Sequence, residues 1–95
     1  MSHNSDNIQA KQDEMKMNPN APKPNSIWEH YKGGRYMVVT LTMMKSNENF
    51  LVCYQPLNGN SFYPWTRPLS EWNDTITKED GSKTKRFTMI YNSLW

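Results

Sequence analysis

A period-two alternation of side chains runs through residues 35–43, which read RYMVVTLTM. It assigns two sets of residues to opposite faces, Tyr36, Val38, Thr40 and Thr42 on one and Met37, Val39, Leu41 and Met43 on the other. Aromatic and β-branched residues dominate the run, and both kinds favour the extended backbone of a strand. The pattern therefore predicts a β-strand.

Polar turn formers divide the following residues into two more strands. The loop KSNEN at residues 45–49 is typical of a hairpin, and FLVCYQPL after it predicts a second, antiparallel strand. The dipeptide Asn58-Gly59 readily adopts the positive φ angles of a tight turn, so a third strand is predicted over residues 62–67. Pro64 lacks an amide donor, which assigns its position to a sheet edge or a bulge.

The C-terminal third of the chain predicts a helical turn and a closing strand. Pro68 and Ser70 are typical of a helix start, with Ser70 as the cap of a single turn over residues 71–73. A polar loop around Gly81 separates this turn from the last strand, RFTMIYNSLW. The alternation in that strand assigns three large residues to one face, Phe87, Met89 and Tyr91.

Three strands, a helical turn and a closing strand predict a mainly β domain over residues 27–95. Its expected architecture is a small antiparallel SH3-like barrel of about five strands, because closing the sheet removes exposed strand edges. The aromatic residues must supply much of the core, since the segment is close to the lower size limit for folding without staples.

The N-terminal segment differs from the rest in composition. All twelve aromatic residues lie at or after Trp28, whereas residues 1–26 are mostly polar, and residues 18–25 read NPNAPKPN with three prolines. The segment is therefore predicted to be a disordered tail that ends in an extended linker. A helix over residues 7–17 is the alternative, although isolated helices of this length are marginal in water.

Composition and charge exclude several functional classes. The net charge of +2 is too small to indicate nucleic-acid binding by itself, and the basic run KTKR at residues 83–86 is typical of a solvated strand end. The chain has neither an apolar run of membrane length nor a signal peptide, which predicts a cytoplasmic protein without membrane contact. Cys53 is the only cysteine, so it is expected to be a buried apolar residue, with no disulfide, metal or cofactor.

Four segments occur in a fixed order, HYKGGRY, VCYQPL, WTRPL and RF. Together they resemble the small bacterial and phage family known as domain of unknown function 1653, over residues 28–89. The resemblance implies an SH3-like barrel with no assigned enzymatic activity. It carries over the residues of the four motifs, His30, Tyr31, Lys32, Gly33, Gly34, Tyr36, Tyr54, Gln55, Leu57, Trp65, Arg67, Pro68, Leu69, Arg86 and Phe87. The loop MMKSNENF lacks the histidine typical of the family there, so no loop-histidine role is carried over.

Rings and cations are predicted to meet at the mouth of the barrel. The candidate ligand-binding residues are His30, Tyr31, Lys32, Arg35, Trp65, Arg67 and Arg86. Rings stack on bases or prolines, and guanidinium groups bind phosphate or carboxylate. The opposing interpretation is structural: Tyr31 closes the end of the barrel, Trp65 lies in the core, and Arg67 pairs with Glu71 or Asp74. The sequence leaves both interpretations open.

Catalysis is not expected, because His30 is the only histidine of the predicted domain and no nucleophile has a base beside it. The expected function is a non-catalytic binding module that recognises a nucleotide, a nucleic acid or a phosphorylated ligand through the barrel mouth. The alternative is a protein–protein interaction module, which uses either the mouth or the tail. The phage relatives add a variant of this alternative, an inhibitor or sequestering protein that acts on a host defence factor. The sequence does not predict the oligomeric state.

Overall fold

The computed structural model describes residues 3–58 and 63–92, with side chains from Ile8 onward. Its elements in chain order are α1 (His3–Met17), β1 (Ile27–His30), β2 (Arg35–Met43), β3 (Phe50–Pro56), β4 (Trp65–Pro68), α2 (Leu69–Trp72), β5 (Thr75–Thr77), β6 (Lys83–Lys85) and β7 (Phe87–Tyr91). The predicted turn at Asn58-Gly59 and the predicted strand start at residue 62 fall on or beside the gap in this description.

The strands form two antiparallel sheets, which confirms the mainly β class. Five strands pair in the order β4-β3-β2-β1-β7, while β5 and β6 form a separate hairpin. The closed barrel predicted from the sequence is wrong, because no pairing joins the edge strands β4 and β7 within the described residues. Side chains fill the space near these edges instead, since Trp72 of α2 stacks on Phe87 of β7 with ring centroids 3.8 Å apart.

A β-bulge in β2 changes which residues face the core. Val38 lies opposite Tyr54, but the next pair in the ladder is Thr40 with Cys53, so Val39 is an extra residue. An extra residue in one strand shifts all later side chains to the other face. The strict alternation predicted for residues 35–43 is therefore wrong beyond Val38. Leu41 now lies opposite the fully buried Val52, on the core side.

The core is small and largely aromatic. Within the described residues, five buried side chains form the hydrophobic cluster of the core, Val38, Val52, Tyr54, Trp72 and Phe87. The rings of Trp28 and Tyr54 meet the Trp72 ring edge-on, at centroid distances of 5.5 and 5.2 Å. Such edge-to-face and stacked pairs add about 0.5–1.5 kcal/mol each to the area that they bury. The buried apolar surface of this small core therefore comes largely from aromatic side chains.

The N-terminal segment has a helix, α1, where the sequence favoured disorder. This is the helical alternative, extended by four residues towards the N-terminus. The proline-rich segment after α1 is connected to the domain, because the Asn25 amide donates to the Val38 carbonyl at 2.7 Å. The Asn73 side chain also donates to the Asn20 carbonyl at 3.1 Å. These bonds hold the segment along the sheet.

Two local predictions need correction. The helix α2 begins directly after Pro68 and has no side-chain cap, so Ser70 lies inside it instead of capping it. Cys53 is only partly buried, because it alternates with the buried Val52 and Tyr54 and so lies on the opposite face. No helix in the described part of the chain is long and apolar enough to span a bilayer.

Candidate functional site

Trp65 and Arg67 lie on the same face of β4, as their spacing of two residues predicts. Trp65 is paired with Tyr54 and Arg67 with Val52, and both partners are buried on the core side of the sheet. The side chains of β4 nevertheless reach solvent, because β4 is an edge strand. Trp65 is 48% exposed, so it lies at the rim of the core and is not enclosed by it.

Two rings hold the Trp65 indole in place on its inner side. Tyr54 meets it edge-on at a centroid distance of 6.0 Å, and Tyr36 lies at 6.2 Å with a tilt of 44°. Tyr36 in turn contacts Tyr54 at 5.4 Å and Phe87 at 6.0 Å, both edge-on. We refer to Tyr36, Tyr54, Trp65, Arg67 and Phe87 as the aromatic–arginine patch. Tyr36, Tyr54 and Phe87 were not among the candidate ligand-binding residues. The sequence signal for Tyr36 is its position two residues before the buried Val38, because residues two apart on a strand share a face.

Arg67 is the cation of the patch. Its guanidinium carbon lies 5.9 Å from the centre of the Phe87 ring, and its Nη1 donates to Glu71 Oε1 at 3.2 Å. The nearby Tyr54 hydroxyl raises the pKa of Arg67 above its ordinary value, burial opposes this, and the Glu71 carboxylate raises it again. The buried Nε has no hydrogen-bond partner among the described residues. Arg67 is therefore a fixed cation with its outer edge at the surface.

Arg86 joins the same region through the helix α2. Its Nε donates to the Glu71 carbonyl at 3.0 Å, and its Nη2 donates to Asp74 Oδ2 at 3.3 Å. Arg67 and Arg86 thus meet at Glu71, one at its carboxylate and the other at its backbone. The structure therefore brings these two candidate residues together, each of them paired with one carboxylate.

His30 lies next to the two arginines. Its ring meets Phe87 edge-on at 5.0 Å and Tyr31 at 4.7 Å, and Nδ1 accepts a hydrogen bond from the Lys32 amide at 3.1 Å. Burial lowers the pKa of His30, and the positive charges of Arg67, Arg86 and Lys32 lower it further. The ring is therefore neutral at pH 7, and its neighbourhood has a positive potential.

The Gly33-Gly34 turn positions the rings around it. Both glycines have positive φ angles, +98° and +88°, and the His30 amide donates across the turn to the Gly34 carbonyl at 3.0 Å. A Cβ on Gly34 would lie 3.3 Å from the Tyr36 hydroxyl, so Gly34 leaves room for that ring. Lys32 places its ammonium 5.7 Å from the centre of the Tyr31 ring at the exposed end of the turn.

Arg35 does not belong to this group. It is adjacent to Tyr36 in β2, so its side chain points to the opposite face of the sheet. There it lies opposite Glu29, with its Nε 3.7 Å from the Glu29 carboxylate. The candidate residues therefore divide: His30, Tyr31, Lys32, Trp65, Arg67 and Arg86 lie near the patch, and Arg35 lies away from it.

Two concave regions lie near the described surface. A hollow of about 350 Å³ adjoins His30 and Tyr31 and is lined on its far side by Lys78, Thr84 and Thr88. A larger groove of about 640 Å³ runs between α1, the proline-rich segment and β2. Within the described residues, no three His, Cys, Asp or Glu side chains lie close enough to hold a metal ion.

Comparison with known proteins places the chain in a group without an assigned role. The family model of DUF1653, a protein of unknown function, matches residues 26–89, which confirms the resemblance of the four motifs. The chain is also similar to the crystal structure of a protein belonging to DUF1653 from Bordetella bronchiseptica, with a TM-score of 0.63 and 26% identity. The alignment covers 73% of this chain and 88% of that chain. No curated protein matches it.

Proposed function

Because the chain belongs to the DUF1653 family of proteins of unknown function, we propose its role from its own residues: it is a non-catalytic module that binds a nucleotide at the aromatic–arginine patch. The observation that carries this proposal is the half-exposed indole of Trp65, which shares one strand face with the fixed cation Arg67.

The indole is suited to stacking on a base. Tyr36 and Tyr54 support its inner side, so little side-chain freedom is lost when a ligand binds to its outer side. Stacking of a base on an aromatic side chain contributes about 1–3 kcal/mol, and it tolerates any base because every base has a π-face.

Arg67 is suited to the phosphate of the same ligand. Residues two apart on a strand are separated by about 7 Å, a distance similar to that between a base and its phosphate. Arg86 and Lys32 add positive potential, and these charges lower the pKa of His30 further after burial, which is the main cause of its lowering. The carboxylates of Glu71 and Asp74 reduce this potential, so a bound phosphate competes with Glu71 for Arg67.

A mononucleotide fits this patch better than a nucleic-acid strand does. A nucleic-acid strand needs a basic track that follows many phosphates, and the net charge of the chain is only +2.

His30 lacks the features of a catalytic base, because its Nδ1 already accepts a hydrogen bond from the Lys32 amide and its ring packs on Phe87.

Calorimetric titration of the full chain with AMP, adenosine and inorganic phosphate tests the proposal. We expect AMP to bind more tightly than either fragment. Trp65→Ala should weaken AMP binding about 5-fold to 150-fold, the equivalent of about 1–3 kcal/mol. Arg67→Ala should weaken AMP binding but leave adenosine binding nearly unchanged.

Two matched variants serve as controls for this titration. Arg35→Ala removes an arginine on the opposite sheet face, and Met44→Ala removes an apolar side chain that is 43% exposed. Neither should change the affinity. The proposal is wrong if AMP does not bind, or if folded Trp65→Ala and Arg67→Ala proteins bind it as the parent does.

A protein-interaction role is the second candidate, and the groove beside α1 is the observation that favours it. The groove has an apolar floor of Leu41, Met43 and Phe50, with Pro22 and Met15 on its walls. Deletion of residues 1–25 distinguishes the two functions, because it removes both walls of the groove and leaves the aromatic–arginine patch intact. Loss of AMP binding in a folded deletion variant would argue against the patch.

A further inference from the structure

The strand β7 is an edge strand with an unusual surface. It pairs with β1 on one side, and within residues 3–58 and 63–92 no strand pairs with its other side. Three consecutive apolar residues of β7 are about half exposed, Met89 at 47%, Ile90 at 46% and Tyr91 at 48%. A free edge with such side chains is a template for pairing with another strand.

The two edges of the sheet differ in their protection. β4 has only four residues, WTRP, and it contains Arg67 and Pro68 and directly follows Pro64. Charges and prolines are the usual means of preventing edge-to-edge pairing. β7 reads FTMIY, with no charge and no proline. Its only protective feature is an irregular register with β1, in which Ile90 is the extra residue.

We propose that β7 pairs antiparallel with β7 of a second copy of this chain, forming a two-fold symmetric dimer with a continuous sheet. An uncharged strand meets its own copy without repulsion between like charges, whereas any lysine or glutamate in it would face an identical charge near the axis. With the axis at Ile90, the Ile90 residues of the two copies lie opposite each other, so two uncharged apolar side chains meet at the centre of the pairing.

The length of β7 limits the strength of the dimer. Five residues extend over about 17 Å, so the paired strands bury less than the roughly 1,200 Å² of a standard stable interface. The dimer is therefore weak, with a dissociation constant above about 1 μM. Its formation depends on protein concentration in a range that solution methods cover.

Sedimentation equilibrium of the full chain, from about 5 μM to about 1 mM, measures this association. We expect the mean mass to rise above the monomer mass of 11.2 kDa as concentration increases. Ile90→Lys and Ile90→Glu should each remain monomeric, because each places two like charges at the axis. An equimolar mixture of the two variants should associate again, since opposite charges then meet. Met44→Lys, at a similarly exposed apolar residue remote from β7, should associate like the parent.

Three results would overturn the proposal: a monomer mass for the parent chain at the highest concentration, a Met44→Lys variant that dissociates as fully as Ile90→Lys, or a mixture that stays monomeric. A measurement on the parent chain alone covers the case in which the Ile90 variants fail to fold. Amide hydrogen exchange of residues 88–91 should slow as concentration rises, and exchange that is independent of concentration would refute the dimer.

Discussion

Replacing Glu71 by glutamine tests the idea that this carboxylate competes with the ligand for Arg67. Glu71 is 49% exposed and Arg67 is 27% exposed, with 3.2 Å between their charged atoms. An ion pair at such a surface contributes about 0.2–1 kcal/mol to stability. A ligand phosphate that binds Arg67 must break this ion pair, which weakens its binding by the same free energy. Glu71→Gln removes the ion pair in advance, so the ligand no longer loses this free energy on binding.

The removed charge has a second effect on the bound phosphate. Two like charges about 5 Å apart repel each other by about 0.8 kcal/mol in water, and salt at physiological concentration reduces this by about half. The two contributions together amount to about 0.6–1.4 kcal/mol. Glu71→Gln is therefore expected to bind AMP about threefold to tenfold more tightly than the parent chain.

The assay is calorimetric titration with AMP at low and at physiological salt, with Glu29→Gln as the matched control. Glu29 is also 49% exposed and is also paired with an arginine, but it lies on the opposite face of the sheet. Glu29→Gln should leave the affinity unchanged, apart from a small effect of net charge that salt removes. The reasoning is refuted if Glu71→Gln binds AMP no more tightly than Glu29→Gln does. The melting temperature should fall by less than about 8 °C in either variant.

Three further predictions concern the fold. Trp72→Ala should lose about 3–5 kcal/mol of unfolding free energy in urea titration, and Trp72→Phe should lose less because the buried indole N–H has no partner within the described residues. Gly33→Ala should cost about 1 kcal/mol for its positive φ, and Gly34→Ala should cost more because the Tyr36 hydroxyl would lie 3.3 Å from the new Cβ. Because the folded pKa of His30 is lowered, its neutral ring stabilises the fold above about pH 6.5 and this contribution disappears as pH falls through the folded pKa. His30→Gln should therefore flatten the dependence of melting temperature on pH in this range.

The local pattern of the sequence predicted four of the seven described strands, β2, β3, β4 and β7, and missed β1 and the hairpin of β5 and β6 around Gly81. The alternation in residues 35–43 gave the bounds of β2, and the polar loop before Phe50 gave the start of β3. The bulge at Val39 was not predictable in this way, because no glycine marks it and valine suits either face of a strand. Closure of the barrel was also beyond the pattern, since it depends on whether two distant edges meet.

The candidate site was partly predictable for the same reason. The spacing of Trp65 and Arg67 gave their common face, and the spacing of Arg67 and Glu71 gave their ion pair. The separation of Arg35 from the patch was predictable too, since the period of two that assigns Tyr36 to the core face assigns its neighbour to the other face.

The charge of the patch could not be read from the sequence, because it depends on contacts between distant residues. Arg86 contacts the Glu71 carbonyl in α2 and the carboxylate of Asp74, which lies two residues after that helix. Each arginine therefore arrives with a carboxylate, and the net charge of +2 conceals both the cations and their partners. A single neutralised carboxylate changes the local potential by as much as an added lysine would. The nucleotide binding that we propose for this surface is therefore expected to be as sensitive to Glu71 as to a basic residue beside Arg67.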